Sequence, residues 1–356
     1  VKAAGMSNSG GSVVAALHFL FWVRAAAGWA RSFVLSRGAL GPVMKLASSA
    51  PSTSASSSPQ LSENFCLICN GEEVPCRLNS EQLLKSLPRG PYTTARTHMH
   101  KFVFEFEFHN SRIAESTQLM VQAGSLLKPR EYEKLIDPQR LRHEYLSNIR
   151  EAVRRYQKHN DKEGEMKLTT LLNVDEHADH KLYVHVQALG KRPEHPVKVQ
   201  VMGAPRENAH AKDSGWVTSR QSLWDERKDE VHEVILCNEE GKLFEGLSSN
   251  FFVLKKDQDG TPVLITARDG VLLGTVRSLA LKMCGSLGIK VVEEAPTLQD
   301  LMESEEVFIS STSRWVLPVG EVILPDQSVM TPASTTITNQ LLDLLLQHVL
   351  ESSTEL

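Results

Sequence analysis

The chain has 356 residues, 41% of them hydrophobic and 23% charged, with a formal net charge of −4. That composition fits a globular protein of one large or two ordinary domains and lacks the basic surplus of a nucleic-acid-binding surface. The 5 cysteines, at 66, 69, 76, 237 and 284, are odd in number. They read as thiols in a reducing compartment rather than a disulfide framework.

Residues 1–62 hold no Asp or Glu, while Lys2, Arg24, Arg31, Arg37 and Lys45 are spread through them and Ser48 to Gln60 is Ser-rich. Such a segment resembles an organelle transit peptide in composition. A disordered tail, or upstream sequence with the start at Met6 or Met44, accounts for it equally well. The expected location is a plastid or mitochondrion if the segment is a transit peptide, and otherwise the cytoplasm. The apolar run Val13 to Val23 is too short to span a bilayer, so no membrane segment is expected.

From residue 63 the patterns become structural. FCLICNGEEVPCRL reads as strand, Asn70-Gly71 turn, strand. Lys101 to Phe108 alternates apolar and charged residues, the signature of a half-buried strand. Helical spacing follows over His109 to Gln122 and again over Pro138 to Tyr156. Lys167 to Leu172, Leu182 to Ala188 and Lys198 to Met202 read as strands, with the polar run Gly190 to Pro196 as a linker. A helix is expected over Thr218 to Lys228. Strands are expected at Glu233 to Cys237, Asn250 to Leu254, Val263 to Ala267 and Val307 to Ser310. Gly270 to Gly288 and Thr335 to Leu350 hold helices. Strands and helices are segregated rather than alternating, which gives an α+β fold. The expected organisation is an N-terminal domain over 63–189, a linker over 190–196 and a larger domain over 197–356.

Four features in fixed order suit pyridoxal phosphate. The cofactor needs a lysine to form a Schiff base, a carboxylate at its pyridine nitrogen, N–H groups and cations for its phosphate, and a base at the substrate α-carbon. Lys212 lies in ENAHAKDSGW, and Glu245 in GKLFEGLSSNFFVL. Gly274-Thr275-Val276 falls at a helix start, and Ser310 to Ser313 closes a strand. Singly, each has a plainer reading, as surface lysine, turn residue, helix cap and turn hydroxyls. Cys66-x-x-Cys69 with Cys76 lacks a second close pair, and His177-x-x-His180 sits in a polar loop, so no metal is expected.

The run Lys212 to Val253 resembles the signature region of the class IV aminotransferases, the fold-type IV pyridoxal-phosphate enzymes. FEGLSSNFFV, LLGTVR and EEVFISST carry the likeness, which extends over roughly Leu67 to Val322. The resemblance implies two α/β domains with the site between them, and a homodimer. It makes Lys212 the Schiff-base lysine and Glu245 the partner of the pyridine nitrogen. It makes Arg112, Thr275, Val276 and Thr312 phosphate ligands. Ser248, Ser249, Asn250 and Leu272 would shape the cofactor pocket, and Arg96, Thr312 and Ser313 would face the substrate carboxylate.

The implied reaction is transamination between an amino acid and a 2-oxo acid, of branched-chain or D-amino-acid type. Gly215-Trp216-Val217 stands where most members carry Asn or Asn-Tyr, and Val276 stands where a Thr is common. Thr93 to Arg96 (TTAR) is similar to the aminodeoxychorismate lyases, where the threonine matching Thr94 assists the lysine. Pyruvate elimination is therefore an alternative, as is a cofactor-binding homologue without turnover.

Overall fold

The computed structural model describes residues 64–160, 164–193 and 196–356. The targeting and start-site expectations fall on residues outside this range.

Two sheets organise the described chain. The first is built from β1 (Phe65–Cys69), β2 (Glu72–Glu73), β3 (Tyr92–His98), β4 (Phe102–Phe104), β5 (Met166–Val174) and β6 (His180–Ala188). The second contains β7 (Val197–Val201), β8 (Glu233–Cys237), β9 (Leu243–Gly246), β10 (Asn250–Lys256), β11 (Pro262–Ile265), β12 (Lys290–Val292), β13 (Glu306–Ser311), β14 (Trp315–Ile323) and β15 (Val329–Met330). The strand β16 (Ser353–Glu355) returns to the first sheet and pairs antiparallel with β4. The orders are β16-β4-β3-β5-β6-β1-β2 and β12-β11-β10-β13-β14-β7-β8-β9, with β15 on β14. A single pair, Glu245 opposite Asn250, also joins β9 to β10. Six strands of the second sheet, β10-β13-β14-β7-β8-β9, thereby close on themselves.

The helices are α1 (Ser80–Ser86), α2 (Phe106–Gln122), α3 (Pro129–Glu133), α4 (Pro138–His159), α5 (Gly215–Ser219), α6 (Gln221–Glu226), α7 (Thr275–Ser286), α8 (Leu298–Met302) and α9 (Thr336–His348). In α4, Pro138 occupies the first turn, where its missing N–H is not needed, and the Asp137 side chain accepts from Gln139 N at 2.9 Å. Leu141, Tyr145, Ile149, Ala152, Val153 and Tyr156 then recur at helical spacing and bury one face on the first sheet, together with Ile113 and Met120 of α2. The second sheet has two apolar faces. One packs on α7 and α9 around Phe252, Phe308, Val276 and Leu341. The other holds Val199, Val253, Ile309 and Val319, all fully buried.

Two expectations change, and one strand had not been expected. The strand read over Lys101 to Phe108 stops at Phe104, and α2 begins at Phe106. Glu105 between them takes φ 51°, a left-handed turn that redirects the chain. Phe106 then packs against Tyr145, ring centroids 5.2 Å apart, so the aromatic alternation served a helix start as well as a strand. The single helix over Thr218 to Lys228 is two short ones meeting at Arg220. The strand β14 had no alternating signal because Pro318 and Gly320 interrupt it. A Cβ on Gly320 would come within 2.2 Å of Pro196 Cβ, so glycine is what lets β14 and the start of β7 approach.

Among the described residues no helix is long and apolar enough to cross a membrane, and no group of three or more His, Cys, Asp or Glu is placed to hold a metal ion. Phe252 and Phe308 face each other in register and stack at 4.4 Å with an interplanar angle of 10°, both fully buried. Phe308→Ala removes one ring from this stack and is expected to cost about 3–5 kcal/mol, read as a lower midpoint in urea unfolding.

Candidate functional site

A cavity of about 320 Å³ opens where β3, β5, α2, the 206–224 segment, the 245–250 turn, the α7 start and the 310–313 turn converge. Lys212, Glu245, Arg112, Thr94, Ser248, Ser249, Asn250, Leu272, Thr275, Val276, Thr312 and Ser313 all line it, so residues from Thr94 to Ser313 meet in one place. Arg96 does not line it. Its guanidinium lies 4.2 Å from the Trp315 ring centroid, and its Nε donates to the Thr97 carbonyl. Arg96 is therefore not brought together with Thr312 and Ser313, the other residues expected to face the substrate carboxylate.

Lys212 is placed by its backbone. Its N–H donates to Ser116 Oγ of α2 at 3.0 Å, and its carbonyl accepts from Tyr92 N of β3 at 2.9 Å. Arg206 holds the preceding loop by donating to the carbonyls of Ala209 and Ala211. The Lys212 ammonium sits 4.9 Å from the Tyr92 ring centroid and forms no ion pair among the described residues. Burial lowers its pKa, and the charges of Arg112, Arg206 and Arg220 add to that shift against the Tyr92 phenol. Its amine therefore loses its proton more readily than a surface lysine's.

Glu245 is anchored from two sides. Oε1 accepts from Arg206 Nε at 2.8 Å and Oε2 from Leu272 N at 2.9 Å, with both side chains of the ion pair under a tenth exposed. Asn250 donates Nδ2 to the Leu272 carbonyl at 2.6 Å, and Arg112 donates to the Leu273 carbonyl. Three site residues thus hold the 272–273 turn that delivers the N-terminus of α7. Gly274 caps that helix without a side-chain acceptor, and a Cβ there would meet Asn250 Oδ1 at 2.2 Å. The first turn of α7 keeps its N–H groups and its positive dipole end free for an anion.

Below the 247–249 turn lies Glu233, fully buried. It accepts from Ser248 Oγ at 2.7 Å, Ser249 Oγ at 2.9 Å and Arg314 at 2.6 Å, which ties the turn to the strand end carrying Thr312 and Ser313. The departure at Gly215 also has a local cause. A Cβ there would come within 2.8 Å of Arg89 Nε, which pairs with Asp213. Trp216 donates its indole N–H to the Leu247 carbonyl at 3.0 Å, and Val217 is buried against Leu84 and Tyr92.

The cavity fits pyridoxal phosphate by its unmet polar groups. Arg112 is largely buried with one carboxylate, Glu115, at 3.9 Å, and it lies beside the uncapped start of α7. His109 Nε2 and Ser310 Oγ are buried without hydrogen-bond partners among the described residues, and both residues line the cavity. A group that is anionic at one end and polar around its ring meets these needs. The sequence reading missed His109, Arg206, Tyr92, Lys167 and Arg220, all of which line the cavity. His109 and Arg206 stand three and six residues before Arg112 and Lys212, a proximity that carries no signal by itself.

Similarities to known proteins follow the geometry. A family model described as Amino-transferase class IV matches residues 90–322. A putative branched-chain-amino-acid aminotransferase of Methanocaldococcus jannaschii is 35% identical over 92 residues, 26% of this chain and 31% of that protein. A D-alanine aminotransferase of Bacillus licheniformis is 36% identical over 90 residues, 25% of this chain and 30% of that protein. The match thus spans about a third of the length of these curated relatives. Solved structures align over more. A branched-chain aminotransferase of Thermoproteus uzoniensis with norvaline superposes with a TM-score of 0.62 at 19% identity, covering 82% of this chain and 99% of the other. A hypothetical aminotransferase of Mycobacterium tuberculosis in its PLP-bound form gives 0.59 at 18%, covering 79% and 98%. The fold is the one these aminotransferases share.

His109 yields a test of the site's electrostatics. Its Nδ1 lies 2.8 Å from Thr93 Oγ1, and burial, with the charges of Lys212 and Arg112, pushes its pKa down to about 3. Its unfolded value is about 6.5. Between those values the unfolded chain binds the extra proton, so stability is present above about pH 6.5 and is lost as pH falls, by up to about 1.4 kcal/mol per pH unit. His185, lowered by burial to about 4, adds to the same loss. Urea unfolding at several pH values is expected to show His109→Gln losing less stability on acidification than wild type. Equal losses would mean that His109 is not held neutral.

Proposed function

Because the chain belongs to the class IV aminotransferases, we propose that it is a pyridoxal-phosphate-dependent aminotransferase that holds its cofactor covalently through Lys212. The observation that carries this is Lys212 itself, a buried lysine with no ion pair among the described residues, in a cavity shared with Glu245, Arg112 and the uncapped start of α7. When bound, the cofactor supplies an electron sink that weakens the Cα–H bond of an amino acid.

The chain's own residues do the rest. Arg112, the N–H groups of Thr275 and Val276, and the Thr312 hydroxyl would hold the phosphate. Glu245, oriented by Arg206 and Leu272 N, would hold the pyridine nitrogen. Ser248, Ser249 and Asn250 fix the turn below, and Thr312 and Ser313 meet the substrate carboxylate. Lys212 Nζ moves the proton from the substrate Cα, a task helped by its lowered pKa. The substrates are an amino acid and a 2-oxo acid. The chain pairs as a homodimer, with two domains centred on the two sheets.

A second reading rests on Thr94, half-buried on the cavity wall with its hydroxyl-bearing neighbour Thr93 bound to His109. There the same lysine proton transfer would serve elimination of pyruvate. Release of pyruvate from 4-amino-4-deoxychorismate, abolished in Thr94→Ala, would favour that reading over transamination.

Cofactor-loaded protein is expected to show an absorbance band near the visible edge that is absent in Lys212→Ala. The band should convert to the pyridoxamine form on addition of an amino acid drawn from a panel of L- and D-isomers. A cofactor-saturated wild type without the band, or a band that no donor converts, overturns the proposal.

A further inference from the structure

The cavity holds more positive charge than its cofactor end uses. Arg112, Lys167, Arg206, Lys212 and Arg220 line it, against the carboxylates Glu81, Asp213 and Glu245. Each carboxylate is already engaged. Glu81 pairs with Lys85 at 2.7 Å, Asp213 with Arg89 at 2.5 Å and Glu245 with Arg206 at 2.8 Å. Arg112 and Lys212 are accounted for by a phosphate and a covalent bond. Lys167 and Arg220 are not.

Lys167 comes from β5 and Arg220 from the α5–α6 junction, both line the cavity, and the charge of Arg220 reaches Lys167. Among the described residues neither forms an ion pair, and the Lys167 ammonium makes no hydrogen bond. Arg220 donates one terminal nitrogen to the Leu247 carbonyl at 2.7 Å, which leaves the other without a partner. Burial lowers the Lys167 pKa, against the Tyr92 phenol and Glu81, and the charges of Arg220 and Lys212 add to the shift. Burial works to raise the Tyr92 phenol, but the charges of Lys212, Arg220, Arg206 and Lys167 outweigh it, so all four cations act on one point in the cavity.

Two like charges drawn out of water beside each other are costly until an anion arrives between them. An aliphatic side chain in this place would displace water and leave both unpaired. A carboxylate would satisfy both with charge-assisted hydrogen bonds. Leu84, Val217 and Trp224 also line the cavity and suit the methylenes that join two carboxylates.

We propose that Lys167 and Arg220 form an anion subsite that selects an amino acid or 2-oxo acid bearing a second carboxylate over one with a branched aliphatic side chain. The inference rests on the aminotransferase reading, with the α-carboxylate of the substrate at Thr312 and Ser313.

The test is equilibrium binding of glutarate, an unreactive dicarboxylate, and of hexanoate, an apolar monocarboxylate of similar length. Both are titrated calorimetrically into cofactor-loaded wild type, Lys167→Met, Arg220→Met and Lys167→Arg, and the visible band is recorded in every sample. Wild type is expected to bind glutarate at least about tenfold more tightly than hexanoate. Each Met variant should weaken glutarate by about tenfold and leave hexanoate within about twofold, while Lys167→Arg retains the preference. Equal affinities in wild type overturn the subsite, as do Met variants that weaken both ligands alike or neither. Should a Met variant lose the band through misfolding, the wild-type ratio and Lys167→Arg still decide. A band present without glutarate preference sinks the subsite alone, whereas no band in wild type sinks the cofactor reading and the subsite with it.

Discussion

The arrangement of the site depends on one buried carboxylate. Glu245 stands opposite Asn250 in the single pair that closes six strands of the second sheet on themselves. It is also bound to Arg206 and to the backbone of Leu272. The same residue therefore sets the seam of the sheet, the loop leading to Lys212 and the turn leading to α7. A buried acid holds three segments together only when its lone pairs are met by donors of fixed position, and Glu245 has a guanidinium on one oxygen and a peptide N–H on the other.

Other buried carboxylates follow the pattern. Glu233 ties the Ser248–Ser249 turn to Arg314. Glu306 receives the N–H groups of Ile337 and Thr338 and the hydroxyls of Ser334 and Thr338, which anchors the start of α9. Each of these three buried acids ties one chain segment to another. Cations treat the cavity differently. Arg206 is held by a carboxylate that lines the cavity, while Lys212, Lys167 and Arg220 form no ion pair among the described residues. A site built this way is rigid in its walls and hungry for anions in its interior, as electrostatic preorganisation requires.

Much of this was legible in the residue order. The α4 face, β5, β6, β10 and β13 were readable because their periodicities are carried by contiguous apolar residues. Lys212, Glu245, the Gly274 turn and Thr312 were readable because their order resembles a family, although no local rule singles out any of them. What was hidden depends on contacts distant in sequence. Glu105 ends a strand through one left-handed residue. Arg220 stands between two short helices and reaches Leu247. Arg96 shares a face of β3 with Thr94, yet it stacks on Trp315, which comes from the other sheet. His109 looked like one more polar residue on a helix until Thr93 and the cavity surrounded it.

The closed sheet bears on how the chain reaches its native state. Its floor, the turn between β9 and β10, joins residues a few positions apart and can form as soon as that stretch is made. Its wall cannot, because β14 pairs in parallel with β7, with Val319 opposite Val197. Loop closure of that length sets a slow step in folding. Until it is taken, β7 and β14 each present an open strand edge, and the cavity has a floor without a far side. A cofactor able to bridge floor and wall would act at that moment as a folding aid, capturing the closed form before an exposed edge finds another chain.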